Sequence, residues 1–449
     1  MALSLLQKVS TLLPPSESSN LFEQSKVLKD LNIDLKNDNN IKNNEKNNKI
    51  EPIKLLFNKL QMAIRAKIID NRHDMIPGDK MFNEIANDLH GMPKMTYDQF
   101  VSIRNRIPNI AQKYFTAKIF FQFVPDENFS IDTEDFLRYL QRSIDVESTI
   151  LNLHSYASSN SDSGLITESE LEYFILETTP KIPALRHMHD TFRPFYVFLA
   201  SRRFFFFLDQ RRTRQISIKR VGTSSVMEEL LLLQRISQYQ EDQVSPSMDI
   251  ADQIESNWFS ANNALRVYRL YLDLDEDRNG MLNQEELINF RGGNDGVQLT
   301  KAAVSRIFEE DLVYQATPDS APEMDYKAFL DLVLAFEHRD SPESFAYFWR
   351  LLDMDHTGEL TIIAITHFYR SVSQVLKQSG YDVPSEEDVI REIYDMVGIP
   401  QNQPITLKIL EKSGQGAVIA AMLLDVNGFW QYDNRESLLQ SSNDDDDNF

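Results

Sequence analysis

Side chains suited to cation binding are concentrated in residues 275–286, DEDRNGMLNQEE. Oxygen-bearing residues alternate here, so their oxygen atoms can converge on one point as the backbone curves, and Gly280 permits the sharp turn. The predicted ligands are Asp275, Asp277, Asn279, Met281 through its backbone carbonyl, and Glu286 through two carboxylate oxygens. Because adjacent carboxylates repel one another unless a cation lies between them, this spacing predicts a calcium loop.

A second loop follows at residues 353–364, DMDHTGELTIIA. Asp353, Asp355 and Thr357 repeat the alternation, but Ala364 occupies the position of the closing glutamate. Losing that carboxylate removes two oxygens and one negative charge, so calcium binding is expected to be weak. The alternative is a loop that folds without metal.

Both loops are predicted to lie between two amphipathic helices. Apolar residues spaced i, i+3, i+4, i+7 precede each loop, which is the pattern of one helical face. The matching faces are Val267, Leu270, Tyr271 and Leu274 before the first loop, and Phe345, Phe348, Trp349 and Leu352 before the second. A helix–loop–helix unit used twice predicts EF-hand architecture.

Weaker versions of the same unit occur elsewhere. Residues 159–170 and 209–220 keep parts of the loop pattern without a full set of ligands, so they are expected to be structural. Residues 324–334 and 404–410 are predicted to be short extended strips that enter a helix, each pairing with one of the two clear loops. The whole pattern predicts a mostly α fold, an elongated array of EF-hand and EF-hand-like helix–loop–helix pairs.

Composition narrows the classes of function. The 449 residues include 46 basic and 68 acidic side chains, a net charge of −22 that opposes binding to nucleic acid or to anionic membranes. The absence of cysteine excludes disulfides and thiolate sites. No secretory signal, membrane-spanning run or catalytic constellation is recognisable, which favours a soluble intracellular binding protein.

Five regions are predicted along the chain. Eight asparagines fall within residues 31–50, and such a polar segment cannot bury enough apolar surface to fold. The predicted regions are a flexible arm (1–50), an N-terminal helical region (51–108), an EF-hand-like domain with degenerate loops (109–250), a C-terminal EF-hand domain with two helix–loop–helix pairs (251–437) and an acidic tail (438–449).

Residues 201–220, SRRFFFFLDQRRTRQISIKR, combine consecutive phenylalanines with basic side chains. Three interpretations are open: a packed core segment with arginines at its rim, a protein interface that docks an acidic partner, or a surface that stacks single-stranded nucleic acid.

Several segments resemble the B-double-prime regulatory subunits of protein phosphatase 2A, within the gamma-type branch that includes the plant TONNEAU-like proteins. The similar segments are residues 203–221 (RFFFFLDQRRTRQISIKRV), 257–287 (NWFSANNALRVYRLYLDLDEDRNGMLNQEEL), 323–339 (EMDYKAFLDLVLAFEHR), 347–360 (YFWRLLDMDHTGEL) and 423–436 (LLDVNGFWQYDNRE). These segments are distributed between residues 203 and 436, and the resemblance covers most of the chain from about residue 110 to 440.

The resemblance implies a non-catalytic regulatory subunit that binds the HEAT-repeat scaffold and the catalytic subunit and brings phosphoserine or phosphothreonine proteins to them. It implies calcium-dependent tuning through the ligands named above, and work in the cytoplasm, the nucleus and at centrosomes or microtubule-organising sites. Arg214 stands where relatives have glycine, which argues against metal in that loop. The alternative function is a free-standing EF-hand calcium sensor or buffer without a phosphatase partner.

Overall fold

The computed structural model describes residues 78–107, 109, 111–157, 164–242, 248–291, 296–310 and 321–436. The predicted arm and acidic tail lie outside the described residues, as do residues 51–77 and 108 of region 51–108. The predicted domain boundaries stay predictions.

Helices dominate the described part of the chain. They are α1 (Gly78–Leu89), α2 (Tyr97–Arg104), α3 (Ala117–Phe120), α4 (Thr133–Tyr156), α5 (Glu168–Thr178), α6 (Arg193–Leu208), α7 (Ile218–Gly222), α8 (Ser225–Asp242), α9 (Met248–Ser256), α10 (Ala261–Leu274), α11 (Gln284–Leu287), α12 (Lys301–Glu310), α13 (Tyr326–Glu337), α14 (Pro342–Leu352), α15 (Ile362–Gln378), α16 (Glu386–Val397), α17 (Leu407–Ser413), α18 (Gly416–Leu424) and α19 (Val426–Asp433), with 3-10 turns at Gln112–Tyr114, Thr179–Lys181 and Pro183–Leu185. The prediction of a mostly α fold is confirmed.

Short antiparallel strands join the loops in pairs. They are β1 (Lys94–Thr96) with β2 (Ser130–Asp132), β3 (Leu165–Thr167) with β4 (Gln215–Ser217), and β5 (Glu359–Leu360) with β6 (Ile405–Thr406). A single bridge between Leu282 and Met324 plays the same part for the first predicted calcium loop.

One buried apolar pair lies at the centre of each junction. The pairs are Met95 with Ile131, Ile166 with Ile216, Leu282 with Met324, and Leu360 with Ile405, and each of these side chains is at most 2% exposed. The predicted pairing of residues 324–334 and 404–410 with the two clear loops is confirmed. The pairing of Met95 with Ile131 was not predicted.

Helix α10 shows why the helix before the calcium loop forms and how it is held. The Ser260 hydroxyl caps its first turn by accepting a hydrogen bond from the Asn263 N–H. Its buried face consists of Ala264, Val267, Tyr271 and Leu274, close to the predicted stripe. Burying a large apolar side chain contributes about 1.5–3 kcal/mol, so this face fixes the helix and with it the start of the loop.

The buried apolar side chains form two clusters. One contains residues between Met81 and Ile144, and the other contains residues between Leu153 and Phe429. Helix α4 supplies side chains to both, because its 24 residues are long enough to extend from one cluster to the other. In the described residues, no helix has the length and apolar character required to cross a bilayer.

An ion-pair network packs α6 against α13 and α5. The Arg202 guanidinium donates to both carboxylate oxygens of Asp331, at 3.0 and 2.7 Å, and to Glu168 at 3.2 Å. Lys327 adds contacts to Glu168 and Glu172. Since Asp331 is only 8% exposed, its charge depends on Arg202 for compensation.

Candidate metal centre

The first predicted calcium loop begins where α10 ends. Asp275 is the C-cap residue, and its N–H still donates to the Tyr271 carbonyl. The chain then reverses through two left-handed residues, Arg278 (φ 59°) and Gly280 (φ 81°). Gly280 adopts this conformation without steric cost, as the sequence predicted. The turn returns the chain to Leu282, which pairs with Met324.

Three predicted carboxylates meet inside this loop. Oxygen atoms of Asp275, Asp277 and Glu286 all lie within 4.8 Å of one another. Asp275 and Glu286 are buried, at 6% and 5% exposure, whereas Asp277 is exposed. No described Lys, Arg or His forms an ion pair with any of the three. The loop therefore holds concentrated negative charge that its own neighbours leave uncompensated.

The buried carboxylates are held in place by backbone N–H groups. Gly280 N–H donates to Asp275 Oδ2 at 3.1 Å, and Glu276 N–H donates to Glu286 Oε1 at 3.0 Å. Glu286 and Asn283 also form a reciprocal cap at the start of α11. These bonds draw Glu286 back across the loop to face Asp275.

One buried oxygen in the loop has no hydrogen-bond partner. Asp275 Oδ1 is shielded from solvent, and no described protein group donates to it. An uncompensated buried carboxylate oxygen is costly unless a cation or water binds it. The hard oxygen donors around it are those that calcium prefers, so the residues present fit this ion.

Of the remaining predicted ligands, Asn279 is exposed and Met281 is half-buried. The Asn279 side-chain oxygen accepts from Met281 N–H at 2.7 Å, and its amide nitrogen donates to Asp277 Oδ2 at 3.1 Å. The same nitrogen donates to Glu323 Oε1 at 3.1 Å. The structure thus brings Asn279 beside Asp277 and leaves Met281 next to it in the chain.

Two residues that support the loop were missed from the sequence, Glu323 and Tyr271. Glu323 immediately precedes the bridging Met324, a position that sequence spacing could have indicated. The Tyr271 hydroxyl donates to the Gly280 carbonyl at 2.8 Å and also contacts the Met324 carbonyl. Burial, followed by the nearby carboxylates of Asp325, Asp275 and Glu286, raises the pKa of Tyr271. The phenol therefore stays protonated and keeps donating to the loop.

The second predicted loop has the same backbone but a different charge arrangement. Asp353 is buried and accepts from Thr357 N–H and Gly358 N–H, both at 2.9 Å, whereas Asp355 is exposed. Ala364, in the closing position, is 1% exposed and offers no oxygen from its side chain. Among the described residues, only Asp275, Asp277 and Glu286 form a three-member cluster of potential metal ligands. Metal binding by Asp353, Asp355 and Thr357 stays a prediction.

The loop at residues 209–220 also keeps the calcium-loop backbone. Its fourth and sixth residues, Arg212 (φ 53°) and Arg214 (φ 59°), are left-handed like Arg278 and Gly280. Asp209 Oδ2 accepts from Arg214 N–H at 2.7 Å, the counterpart of the bond between Gly280 and Asp275. The leading aspartate thus shapes this loop through hydrogen bonds.

The chain is similar to regulatory subunits of one phosphatase from several organisms. The chain is 34% identical over 400 residues to the gamma-type B'' regulatory subunit of serine/threonine-protein phosphatase 2A from Mus musculus, covering 87% of this chain and 83% of that protein. The Homo sapiens protein of the same name is likewise 34% identical, with the same coverage. The probable B'' regulatory subunit TON2 of the same phosphatase, from Arabidopsis thaliana, is 34% identical over 363 residues, covering 80% of this chain and 73% of that protein.

A solved structure described as a PP2A PR70 holoenzyme is also similar, with a TM-score of 0.49 and 19% identity, covering 61% of this chain and 94% of that chain. No family model matches the chain.

Proposed function

The chain belongs to the B'' family of serine/threonine-protein phosphatase 2A regulatory subunits, and we propose that it binds the scaffold and catalytic subunits and directs them to phosphoserine and phosphothreonine proteins. The observation that carries this proposal is the 34% identity maintained over 87% of the chain, well beyond a single EF-hand unit. Its relatives are named as regulatory subunits, so the chain is a regulator and not the phosphatase itself.

Reconstitution tests the assembly. The purified chain is mixed with scaffold and catalytic subunits and separated by size-exclusion chromatography, with a scaffold–catalytic mixture lacking the chain as the control. Co-elution of all three proteins is expected. If the chain elutes alone across a wide range of protein concentrations, the alternative of a free-standing calcium sensor or buffer gains support.

The second part of the proposal is that calcium binds the loop after α10 and tunes assembly or substrate presentation. Asp275, Asp277, Asn279, the Met281 carbonyl and Glu286 would hold the ion, which when bound supplies the positive charge that these carboxylates lack. The unpartnered Asp275 Oδ1 and the convergence of the carboxylates support this assignment. Glu286 couples the loop to α11, and Leu282 couples it to the strip before α13.

Calorimetric titration with calcium separates a regulatory site from a permanently occupied one. A dissociation constant of about 1 μM is expected for a site that responds to cellular calcium. A constant far below the resting concentration of calcium in cells would mean that the ion is only structural. Magnesium at equal concentration provides the ion control, because it tolerates seven-oxygen coordination poorly.

We also propose that the protein works in the cytoplasm and nucleus and at centrosomes or microtubule-organising sites. Imaging a fluorescent fusion at its native expression level, with a microtubule-organising marker in a second channel, tests each location separately. Fluorescence of the fusion that does not overlap the marker would remove the microtubule-organising sites from the proposal.

A further inference from the structure

A group of exposed cations lies on loop 209–220, which lacks a full set of candidate metal ligands. The basic loop face, defined here as Arg211, Arg214, Lys219 and Arg220, falls at positions three, six, eleven and twelve of loop 209–220. All four residues are exposed, and none forms a salt bridge within the described part of the chain. Four unpaired positive charges within ten residues contrast with a protein of net charge −22.

The structure separates these cations from the other basic residues of the segment. Arg202 is bound to Asp331 and Glu168, and Arg203 is bound to Glu229 at 2.6 Å and stacks over Trp258 at 4.8 Å. Those two arginines are needed inside the fold. The four cations of the basic loop face serve no comparable packing role, so the interpretation of segment 201–220 as core alone does not explain them.

Hydrogen bonds within the protein fix the backbone of loop 209–220. Asp209, its leading acid, accepts hydrogen bonds from Thr213 N–H, from the Thr213 hydroxyl and from Arg214 N–H. Gln210 donates to Glu343 at 3.1 Å, and Arg212 donates to the Glu310 carbonyl at 3.3 Å. A fixed backbone lowers the ordering cost of binding for the exposed side chains.

One position shows a local cost that metal binding does not explain. Arg214 has a φ of 59°, where glycine is usual and a side chain raises the backbone energy. In the calcium loop, the equivalent residue is Gly280. Arg214 thus places a solvent-exposed cation at the position where the calcium loop has a glycine.

We propose that the basic loop face binds an acidic peptide segment of a partner protein, through charge-assisted hydrogen bonds to its carboxylates. A short acidic segment is favoured over nucleic acid because the patch is small and the surrounding −22 field repels an extended polyanion. This inference goes beyond the proposed function, since it requires neither calcium nor the phosphatase subunits.

The test is fluorescence anisotropy with the full chain and a short labelled peptide of alternating glutamate and serine. The double variant Arg211→Gln with Arg214→Gly is expected to weaken binding by about 3- to 10-fold at low salt, and added salt should weaken wild-type binding. Arg214→Gly restores the residue suited to this φ, so the variant should fold. Circular dichroism checks that it does.

The matched control is Arg104→Gln with Arg106→Gln, which removes the same charge from exposed positions elsewhere. This control is expected to bind the peptide like the wild type. Equal loss in both double variants would overturn the proposal, as would wild-type binding of a glutamine–serine peptide with the same affinity. Tighter binding of a single-stranded oligonucleotide, lost in the loop variant, would overturn it in favour of nucleic acid. Peptide binding that appears only after deletion of residues 441–449 would overturn it in favour of the chain's own acidic tail.

Discussion

Replacing Glu286 with glutamine tests the metal centre most directly, because it removes one charge at nearly constant shape. Oxygens of Asp275 and Glu286 lie within 4.8 Å, so at an effective dielectric constant of about 20 the two charges repel by about 3.5 kcal/mol. Glutamine relieves that repulsion. It also turns an N–H₂ group toward either the Glu276 or the Asn283 N–H, which costs about 1.5–3 kcal/mol.

When a chelator removes calcium, the relief of charge repulsion and the loss of the hydrogen bond nearly cancel. Glu286→Gln is therefore expected to have a free energy of unfolding within about 1–2 kcal/mol of wild type when calcium is removed. With free calcium about 100-fold above the dissociation constant, the wild type should gain about 2.7 kcal/mol. The variant should lose most of that gain, since the closing carboxylate is absent.

The assay is thermal unfolding followed by circular dichroism, with either calcium or EDTA in the buffer. The neighbouring Glu285→Gln is the matched control, because it makes the same substitution at an exposed position. It should keep the full calcium response. The reasoning is refuted if Glu286→Gln retains that response, or if Glu285→Gln loses it to the same extent.

Three further predictions concern the rest of the fold. Burial, followed by the neighbouring Arg203 guanidinium, lowers the pKa of His338 to about 4 from 6.5. Between these two values the unfolded chain binds more protons than the folded chain, so the free energy of unfolding falls as the pH drops from 6.5 to 4. In urea unfolding at pH 7 and pH 4.5, His338→Asn should reduce the difference in stability between the two pH values by about 1–2 kcal/mol. Arg214→Gly should raise the free energy of unfolding by about 0.5–1 kcal/mol by relieving its left-handed backbone, and an unchanged or lower value would contradict the strain argument. Gly416→Ala should destabilise the fold by about 1–3 kcal/mol, because its Cβ would overlap the Phe345 ring, whereas unchanged stability would mean that the ring moves freely.

The calcium loop could be predicted because its signal is local. Asp275, Asp277, Gly280 and Glu286 have spacings set by one turn of backbone, and the same backbone appears in the structure. The apolar helical faces before the two clear loops could also be predicted from the sequence, since helical periodicity extends over several turns.

The first loop pair was missed because its signals are weak. Its strands are three residues long, too short for a pattern of alternation. The first residue of the loop that contains Ile131 is the apolar Val124, where the predicted calcium loop has Asp275. The charge network was missed for another reason. Arg202 and Asp331 are 129 residues apart, and no local spacing reveals that they meet.

Helix α13 has an unusual pair of attachments. Two residues before it, Met324 shares backbone hydrogen bonds with Leu282 of the calcium loop, at 2.9 and 2.7 Å. Midway along it, Asp331 binds Arg202 of α6. Because both attachments lie on one helix, α13 links the first predicted calcium loop to α6, the helix that leads into loop 209–220. A loop without a full set of candidate ligands is thereby part of the scaffold that holds the predicted calcium loop.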